Sequence, residues 1–261
     1  MASIVLPAPM RPAAPVLLAR RVFGRVRRTV FTHCHNARTE LLGQFESLGD
    51  NCEFASLQKA FGVNTAAMFR WSDTSVAMLI EALGNDLAGG DDIANLSVEP
   101  EHDGEYLLHH RLYRSTSHTF AMVGRDDPAQ VLKREHRRLI MLRRKFLEDV
   151  RAGRRTYVFR SLRPVSPDEA GALNEALRRK GPNRLLWVRQ ASDPGAAGRV
   201  TRSRDGLLTA DIASLAPYED GIRFSSRHWL PVLRRAQALI DAAPPAKRLA
   251  LESLSREGLA A

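Results

Sequence analysis

The chain has 261 residues, of which 44% are hydrophobic and 26% are charged, which is typical of a globular protein with its own hydrophobic core. Two cysteines are too few for a disulfide framework, so a reducing, cytoplasmic setting is expected. No apolar run is long enough to span a bilayer, and the N-terminal arginines follow the apolar stretch, whereas those of a secretory signal precede it.

The net charge of +10 is concentrated near the N-terminus. Residues 1–43 carry a net charge of +6 and residues 244–261 carry +1, which leaves +3 for the residues between them. A domain that binds nucleic acid usually carries its basic surface on the fold itself. No specific nucleic-acid partner is therefore expected.

Residues 1–43 are predicted to form a basic, partly disordered tail, and residues 244–261 a C-terminal tail. Prolines among alanines in residues 1–15 are typical of disorder. Residues 16–31 place apolar side chains on one helical stripe with arginines around it, which predicts an amphipathic helix. Such a helix can act as a peripheral anchor on a protein or on the anionic inner membrane surface. The alternative is that it packs on its own domain.

Residues 44–243 are predicted to form a single α/β domain. Its first strand covers Phe45 to Leu48, and a Gly-Asp-Asn turn leads into a helix from Cys52 to Phe61. Asp50 and Glu53 have the spacing of a capping box at the start of that helix.

Helix and strand signals alternate through the rest of this domain. The pattern predicts a helix over 128–152, a strand over 156–159, a helix over 167–180, a strand over 185–188, a hairpin of 200–201 with 207–209, and a helix over 229–242. This order predicts a three-layer α/β sandwich with a largely parallel, mixed sheet of the Rossmann-like kind.

Cys52 is the best candidate for chemistry. It follows a strand and a turn, at the edge of the sheet where functional groups gather. The helix dipole and the free N–H groups of the first turn are expected to favour a thiolate and to hold an oxyanion. The alternative is that Cys52 is a small buried hydrophobic residue without a chemical role.

A nucleophilic cysteine needs a base within hydrogen-bond reach. Among the eight histidines, His118 is the most suggestive, because it begins an apolar stretch ending at Val123 that predicts a strand. The His33-Cys34-His35 triplet lacks a second pair of ligands. Because no nucleotide-binding motif or G-x-S-x-G elbow is present either, no metal ion or cofactor is expected.

The segment from Ser47 to Phe54 reads Ser-Leu-Gly-Asp-Asn-Cys-Glu-Phe. It resembles the Ser-Leu-Gly-x-x-Cys opening of an uncharacterised bacterial family labelled papain-like cysteine peptidases, in a branch whose members often accompany glycosyltransferase and polysaccharide genes. Looser likenesses follow in chain order, between about residues 45 and 229: Phe69-Arg70-Trp71 with Ser75, His118-Thr119-Phe120, Arg137-Arg138 with Phe146-Leu147, and Val158-Phe159-Arg160. The family's aspartate before tryptophan is Arg70 here.

The resemblance implies that Cys52 is the nucleophile and His118 its base, in the chain order of papain-like enzymes. For a third residue that orients His118, Asp211 is the first choice and Asp73 the second. Asp50, Asn51 and Trp71 are predicted to bind substrate.

Three functions are considered. The leading prediction is a cysteine hydrolase or acyltransferase acting on a small-molecule, glycan or peptide substrate linked to surface polysaccharide. The second is a non-catalytic accessory or carbohydrate-recognition module for glycosyltransferases, with Trp71, Trp187 and Trp229 as sugar-stacking platforms. The third is a glycosyltransferase, which ranks last because no clear Asp-x-Asp motif is present.

Overall fold

The computed structural model describes residues 36–161, 163–216 and 226–242. The stretch 16–31, the His33-Cys34-His35 triplet and the tail from residue 244 lie outside these residues. The described residues form six α-helices, which are 36–43 (α1), Glu53–Ala60 (α2), Val76–Gly84 (α3), Pro128–Ala152 (α4), Pro167–Lys180 (α5) and Ser226–Asp241 (α6). Two short 3-10 helices cover Ile93–Asn95 and Pro194–Ala196. No helix in this part of the chain is both long and apolar enough to cross a membrane.

The described residues also form nine strands, which are Phe45–Ser47 (β1), Ser72–Asp73 (β2), Leu96–Pro100 (β3), Glu105–His110 (β4), Ser115–Met122 (β5), Thr156–Arg160 (β6), Arg184–Gln190 (β7), Val200–Arg204 (β8) and Leu207–Ile212 (β9). A five-stranded sheet has the order β1-β6-β7-β9-β8, in which only β8 is antiparallel to its neighbour. A second, antiparallel sheet has the order β2-β5-β4-β3. The α/β class and the mostly parallel sheet are confirmed, and the second sheet is an addition to the predicted architecture.

Local signals explain both ends of α4 and the start of α5. The Asp127 side chain accepts a hydrogen bond from the Ala129 amide ahead of α4, and Gly153 ends that helix in the left-handed conformation with φ 60°. Ser166 and Glu169 form a reciprocal capping box at the start of α5. Both arrangements satisfy backbone groups that a helix end leaves without partners. The predicted bounds of these helices are confirmed.

The five-stranded sheet has a hydrophobic core on each face. Alternate residues of β6 point to opposite faces, so Tyr157 and Phe159 pack with α3, α4 and α5, whereas Val158 packs with α2 and α6. The second core also contains Leu42 of α1, which is 0% exposed. The folded part therefore begins before the predicted boundary at residue 43, because α1 contributes an apolar side chain that composition had assigned to the basic tail.

Helix α4 joins the two sheets. Its C-terminal half places Leu142, Phe146 and Val150 in the core of the five-stranded sheet. Its first turn packs Val131 against Tyr106 and Ala121 of the antiparallel sheet together with Val98, which lies partly buried beside them. At about 1.5 Å per residue the helix is long enough to cover both sheets. This packing holds the antiparallel sheet beside the carboxyl end of β1, where Cys52 lies.

Candidate functional site

A cleft with a volume of about 430 Å³ lies between α2 and the antiparallel sheet. One wall is a face of α2, because side chains three, four and seven residues apart lie on the same side of a helix. The other wall comes from Trp71 and from strands β4 and β5. The cleft is lined by Cys52, Ser56, Lys59, Ala60, Trp71, Glu105, His118 and Phe120.

The turn before Cys52 is held against β2 by a close backbone approach. Gly49 has φ +89°, and a Cβ at this position would lie 2.6 Å from Thr74 Oγ1 and 2.8 Å from the Ser72 carbonyl oxygen. Thr74 Oγ1 donates to the Leu48 carbonyl at 2.7 Å and accepts from the Asp50 amide at 2.9 Å. Only glycine fits this place, which gives a physical reason for the glycine of the Ser-Leu-Gly segment.

Asp50 and Asn51 support this turn and are not part of the cleft wall. The buried Asp50 carboxylate accepts from Arg163 Nε at 3.1 Å, and the same guanidinium contacts Asp73. Asn51 Oδ1 accepts from the Glu53 amide at 2.6 Å. In place of the predicted Asp50–Glu53 capping box, the Glu53 amide donates to the Asn51 side chain. The predicted substrate-binding role of Asp50 and Asn51 has no support in their placement.

Cys52 is the N-cap residue of α2 and is 6% exposed. Burial raises the pKa of its thiol to about 12, and the negative charges of Glu105 and Asp73 contribute to this increase. The expectation that the helix start favours a thiolate is corrected here, since burial and the charges of two carboxylates raise the pKa of the thiol. The resting side chain is a neutral thiol.

His118 is bound by Glu105 across strands β5 and β4. His118 Nδ1 lies 3.0 Å from Glu105 Oε2. A carboxylate only accepts hydrogen bonds, so Nδ1 carries a proton, and Nε2 is the nitrogen that can accept a proton in the neutral form of the ring. The second Glu105 oxygen, Oε1, accepts from the Phe120 amide at 2.8 Å. Two donors thus fix the carboxylate that orients the imidazole.

A β-bulge brings these groups together. Tyr106 pairs with Ala121 and Leu107 pairs with His118, so Thr119 and Phe120 are inserted between consecutive pairs of the ladder. At the bulge, Thr119 Oγ1 donates a hydrogen bond to the Tyr106 carbonyl. Phe120 takes φ +58°, and the residue is 49% exposed. Bulges of this kind redirect side chains and are frequent next to active sites.

Asp211 is not brought to His118. It lies on β9, which is separated from β1 by the two strands β6 and β7, and its Oδ1 accepts from Arg189 Nε at 2.8 Å. The residue that contacts the His118 ring is Glu105, and not Asp211, which was predicted to orient it. The second choice, Asp73, contacts Arg163 and acts on Cys52 only through its charge.

Sequence reasoning missed Glu105 because no local motif marks it. The residue lies thirteen positions before His118 and reaches it only through the pairing of β4 with β5. The signal that could have identified it is an acidic residue on the strand before that of the candidate histidine, at a position whose side chain lies on the same face of the sheet.

Trp71 lines the cleft and lies edge-to-face with Phe120, with ring centroids 5.2 Å apart. Lys59 Nζ lies 5.9 Å from the centroid of Trp71 and 5.5 Å from that of Phe120. Trp187 and Trp229 are buried in the two cores. Of the three tryptophans predicted as sugar platforms, only Trp71 is placed to meet a ligand in this cleft.

Cys52 and His118 share the cleft, although no hydrogen bond joins them among the contacts of the described residues. In the same part of the chain, no group of three or more His, Cys, Asp or Glu side chains is arranged to hold a metal ion. Comparisons with protein-family models, with curated proteins and with solved structures gave no match to the chain.

Proposed function

We propose that the protein is a cysteine-nucleophile hydrolase or acyltransferase. Cys52 is the nucleophile, His118 is the general base and Glu105 is the residue that positions the imidazole. The observation that carries the proposal is that one cleft holds both the Cys52 thiol and an imidazole whose Nδ1 is fixed by a carboxylate at 3.0 Å. Nucleophile, base and orienting acid are the three parts that covalent acyl transfer requires.

In the first half of the reaction, His118 Nε2 takes the Cys52 proton as sulfur attacks the acyl carbon of the substrate. The carbonyl π electrons move to oxygen and give a tetrahedral oxyanion. The Glu53 amide already donates to Asn51, so the other amides at the start of α2 would hold that oxyanion. When the intermediate collapses, the bond to the leaving group breaks and the leaving group takes the proton from His118, which leaves an acyl thioester on Cys52.

In the second half, a water molecule or an acceptor alcohol or amine attacks the thioester. His118 Nε2 takes the proton of the attacking group, and sulfur leaves as the carbon–sulfur bond breaks. The proton on the imidazole then returns to sulfur. Glu105 keeps its hydrogen bond to Nδ1 throughout and stabilises the imidazolium of each half-reaction by its charge.

The raised pKa of Cys52 decides the form of this mechanism. At neutral pH the thiol keeps its proton, because burial and the charges of Glu105 and Asp73 oppose the thiolate. A stable thiolate–imidazolium pair is therefore not the resting state. The proton moves only when a substrate carbonyl accepts the developing negative charge, as in enzymes with a serine nucleophile.

The likeness to papain-like cysteine peptidases supports the same pair of residues, and we extend the proposal to the setting of that family. The substrate would be an acyl or peptide group linked to surface polysaccharide. The reaction would take place in the cytoplasm, with residues 16–31 binding the inner membrane surface.

For the fold, the helices on both faces of the five-stranded sheet favour a three-layer, Rossmann-like sandwich. The chain-order arrangement of its parallel strands differs from the reversed order of a doubly wound sheet.

A second candidate is a non-catalytic carbohydrate-recognition module. It is favoured by two observations, the burial of Cys52 with its raised pKa and the aromatic surface of Trp71 and Phe120 in the cleft. Sugar rings stack on such surfaces. This candidate predicts binding that is independent of Cys52 and no acyl transfer.

Release of 4-nitrophenol from 4-nitrophenyl acetate tests the proposed function. All proteins carry Cys34→Ser, so that Cys52 is the only thiol. We expect turnover that is lost in Cys52→Ala and in His118→Ala and kept in His109→Ala, whose ring lies on β4 outside the cleft lining. Equal rates in the Cys52→Ala protein and its parent would overturn the hydrolase and leave the recognition module.

A further inference from the structure

Lys59 is a cation without a counter-ion in the cleft. Within the described ranges, no carboxylate lies within ion-pair distance of its Nζ, whereas most lysines and arginines of α4 and α5 have such partners. Glu105 is the acidic residue of the cleft lining, and both of its oxygens are engaged, by His118 and by Phe120. The ammonium group is therefore available to a ligand that enters the cleft.

Two aromatic rings fix where that ammonium group lies. Its contacts with Trp71 and Phe120, at 5.9 and 5.5 Å from the ring centroids, are within the range of cation–π attraction. Phe120 is held there in a left-handed backbone conformation, φ +58°, that costs a non-glycine residue about 1 kcal/mol. An exposed aromatic side chain kept in place against such a cost is typical of a ligand-binding position.

Lys59 and Cys52 lie at opposite ends of one helical face. They are seven residues apart on the same wall of the cleft, which corresponds to about 10 Å along the helix axis. Trp71 and Phe120 line the same cleft, and both rings lie beside the Lys59 ammonium group. A molecule that reaches both ends would contact the thiol with one group, the rings with its middle and the ammonium with the other group.

We infer that the cleft takes substrates that carry an oxyanion group, a carboxylate or a phosphate, separated from the acyl carbon by an apolar spacer. Lys59 binds the oxyanion, Trp71 and Phe120 contact the spacer, and Cys52 receives the acyl carbon. The reaction at Cys52 rests on the proposed function. The oxyanion subsite rests only on Lys59 and the two rings, so it is tested separately.

Binding is measured in a Cys52→Ala protein, which cannot react, by titration of tryptophan fluorescence with hexanoate, hexyl phosphate and neutral 1-hexanol. We expect the anions to bind roughly tenfold more tightly than the alcohol, as one charge-assisted contact allows. Lys59→Met, which keeps the apolar stem, removes that preference. Lys133→Met, which removes an exposed charge of α4 outside the cleft, keeps it. Preference for hexanoate or for hexyl phosphate distinguishes a carboxylate from a phosphate.

Equal binding of the anions and 1-hexanol, or equal affinities in Lys59→Met and its parent, would overturn the subsite. Turnover supplies the second readout, with 4-nitrophenyl hydrogen suberate compared with 4-nitrophenyl octanoate. We expect kcat/KM to favour the anionic ester roughly tenfold and to lose that preference in Lys59→Met. If neither ester reacts but anions still bind through Lys59, the hydrolase fails and the subsite stands. If the esters react without any preference that depends on Lys59, the hydrolase stands and the subsite fails.

Discussion

The His118 imidazole and the Glu105 carboxylate are joined by a hydrogen bond of 3.0 Å between neighbouring strands of the antiparallel sheet. This bond fixes the tautomer of the ring and leaves Nε2 as the acceptor. The same carboxylate receives the Phe120 amide, so the bulge that exposes Phe120 also aligns His118. Base orientation and the aromatic wall of the cleft therefore depend on one side chain.

The first prediction concerns Glu105→Gln. The neutral amide keeps the size of the side chain and can still accept from the Phe120 amide, but it cannot stabilise an imidazolium by charge. We expect the acyl-transfer rate to fall by roughly 10²-fold or more, with little loss of stability. Release of 4-nitrophenol measures the rate, and urea unfolding measures the stability.

Glu99→Gln is the matched control, since Glu99 is an exposed residue of the neighbouring strand β3. Its rate should equal that of the parent protein. An unchanged rate in Glu105→Gln would show that Glu105 does not position the base.

The second prediction compares Phe120→Gly with Phe120→Ala. Both remove the ring, and they differ only in Cβ. At φ +58° a Cβ is unfavourable, so we expect the glycine variant to be more stable by about 1 kcal/mol. At an ordinary strand position the order is reversed. Urea midpoints decide between them, and a less stable glycine variant would mean that the left-handed conformation is wrong.

The third prediction follows from the raised pKa of Cys52. Between the ordinary thiol pKa of about 8.5 and about 12, the unfolded chain loses its thiol proton and the folded protein keeps it. The folded state then binds more protons, so the free energy of unfolding falls as pH rises through that window.

We expect the free energy of unfolding to fall more steeply between about pH 8 and about pH 10 in the parent than in Cys52→Ala, by up to roughly 2 kcal/mol. Burial also raises the pKa of Tyr157 in the same direction, but that residue is present in both proteins and its contribution cancels. Parallel pH profiles of the two proteins would contradict the raised pKa.

The fourth prediction concerns the buried ion pair of Glu53 and Arg160, whose side chains are each 2% exposed with Nε and Oε2 2.9 Å apart. Glu53 also accepts from the Trp229 indole at 2.9 Å and from the Ala216 amide at 3.1 Å. Glu53→Ala removes the carboxylate that pairs with the buried guanidinium and that accepts from the indole and the amide, so we expect a loss of about 3–5 kcal/mol. Chemical denaturation measures it.

Glu81→Ala supplies the comparison, because Glu81 is an exposed residue of α3 and its removal should change stability by less than about 0.5 kcal/mol. If both variants lose the same amount, the ion pair does not stabilise the fold.

Elements with strong local chemistry were predictable from the sequence. Asp127-Pro128 and Gly153 gave the ends of α4, and Ser166 with Glu169 gave the start of α5, because capping is decided by a few adjacent residues. Cys52 at the head of a helix after a strand was predictable for the same reason.

The parts of the site that depend on tertiary pairing were not predictable. Glu105 meets His118 only through a two-strand register interrupted by a bulge, and the sequence carries no marker of that register. The pKa of Cys52 is raised, whereas the helix-start motif predicted that it would be lowered. The motif contains no information on the burial of the thiol or on the carboxylates of Glu105 and Asp73, which belong to other elements. Asp211 looked suitable after a strand, but three strand spacings separate β9 from β1.

The central claim is that Cys52 forms a covalent acyl intermediate with the help of His118. The most direct measurement is the mass of the protein, with Cys34→Ser in place, quenched with acid shortly after mixing with 4-nitrophenyl acetate and mapped by peptide digestion. We predict one acetyl group on the peptide that contains Cys52, formed far more slowly in His118→Ala and at the parent rate in His109→Ala. Acetylation spread over lysines, or on Cys52 at a rate that His118→Ala does not change, would contradict the account.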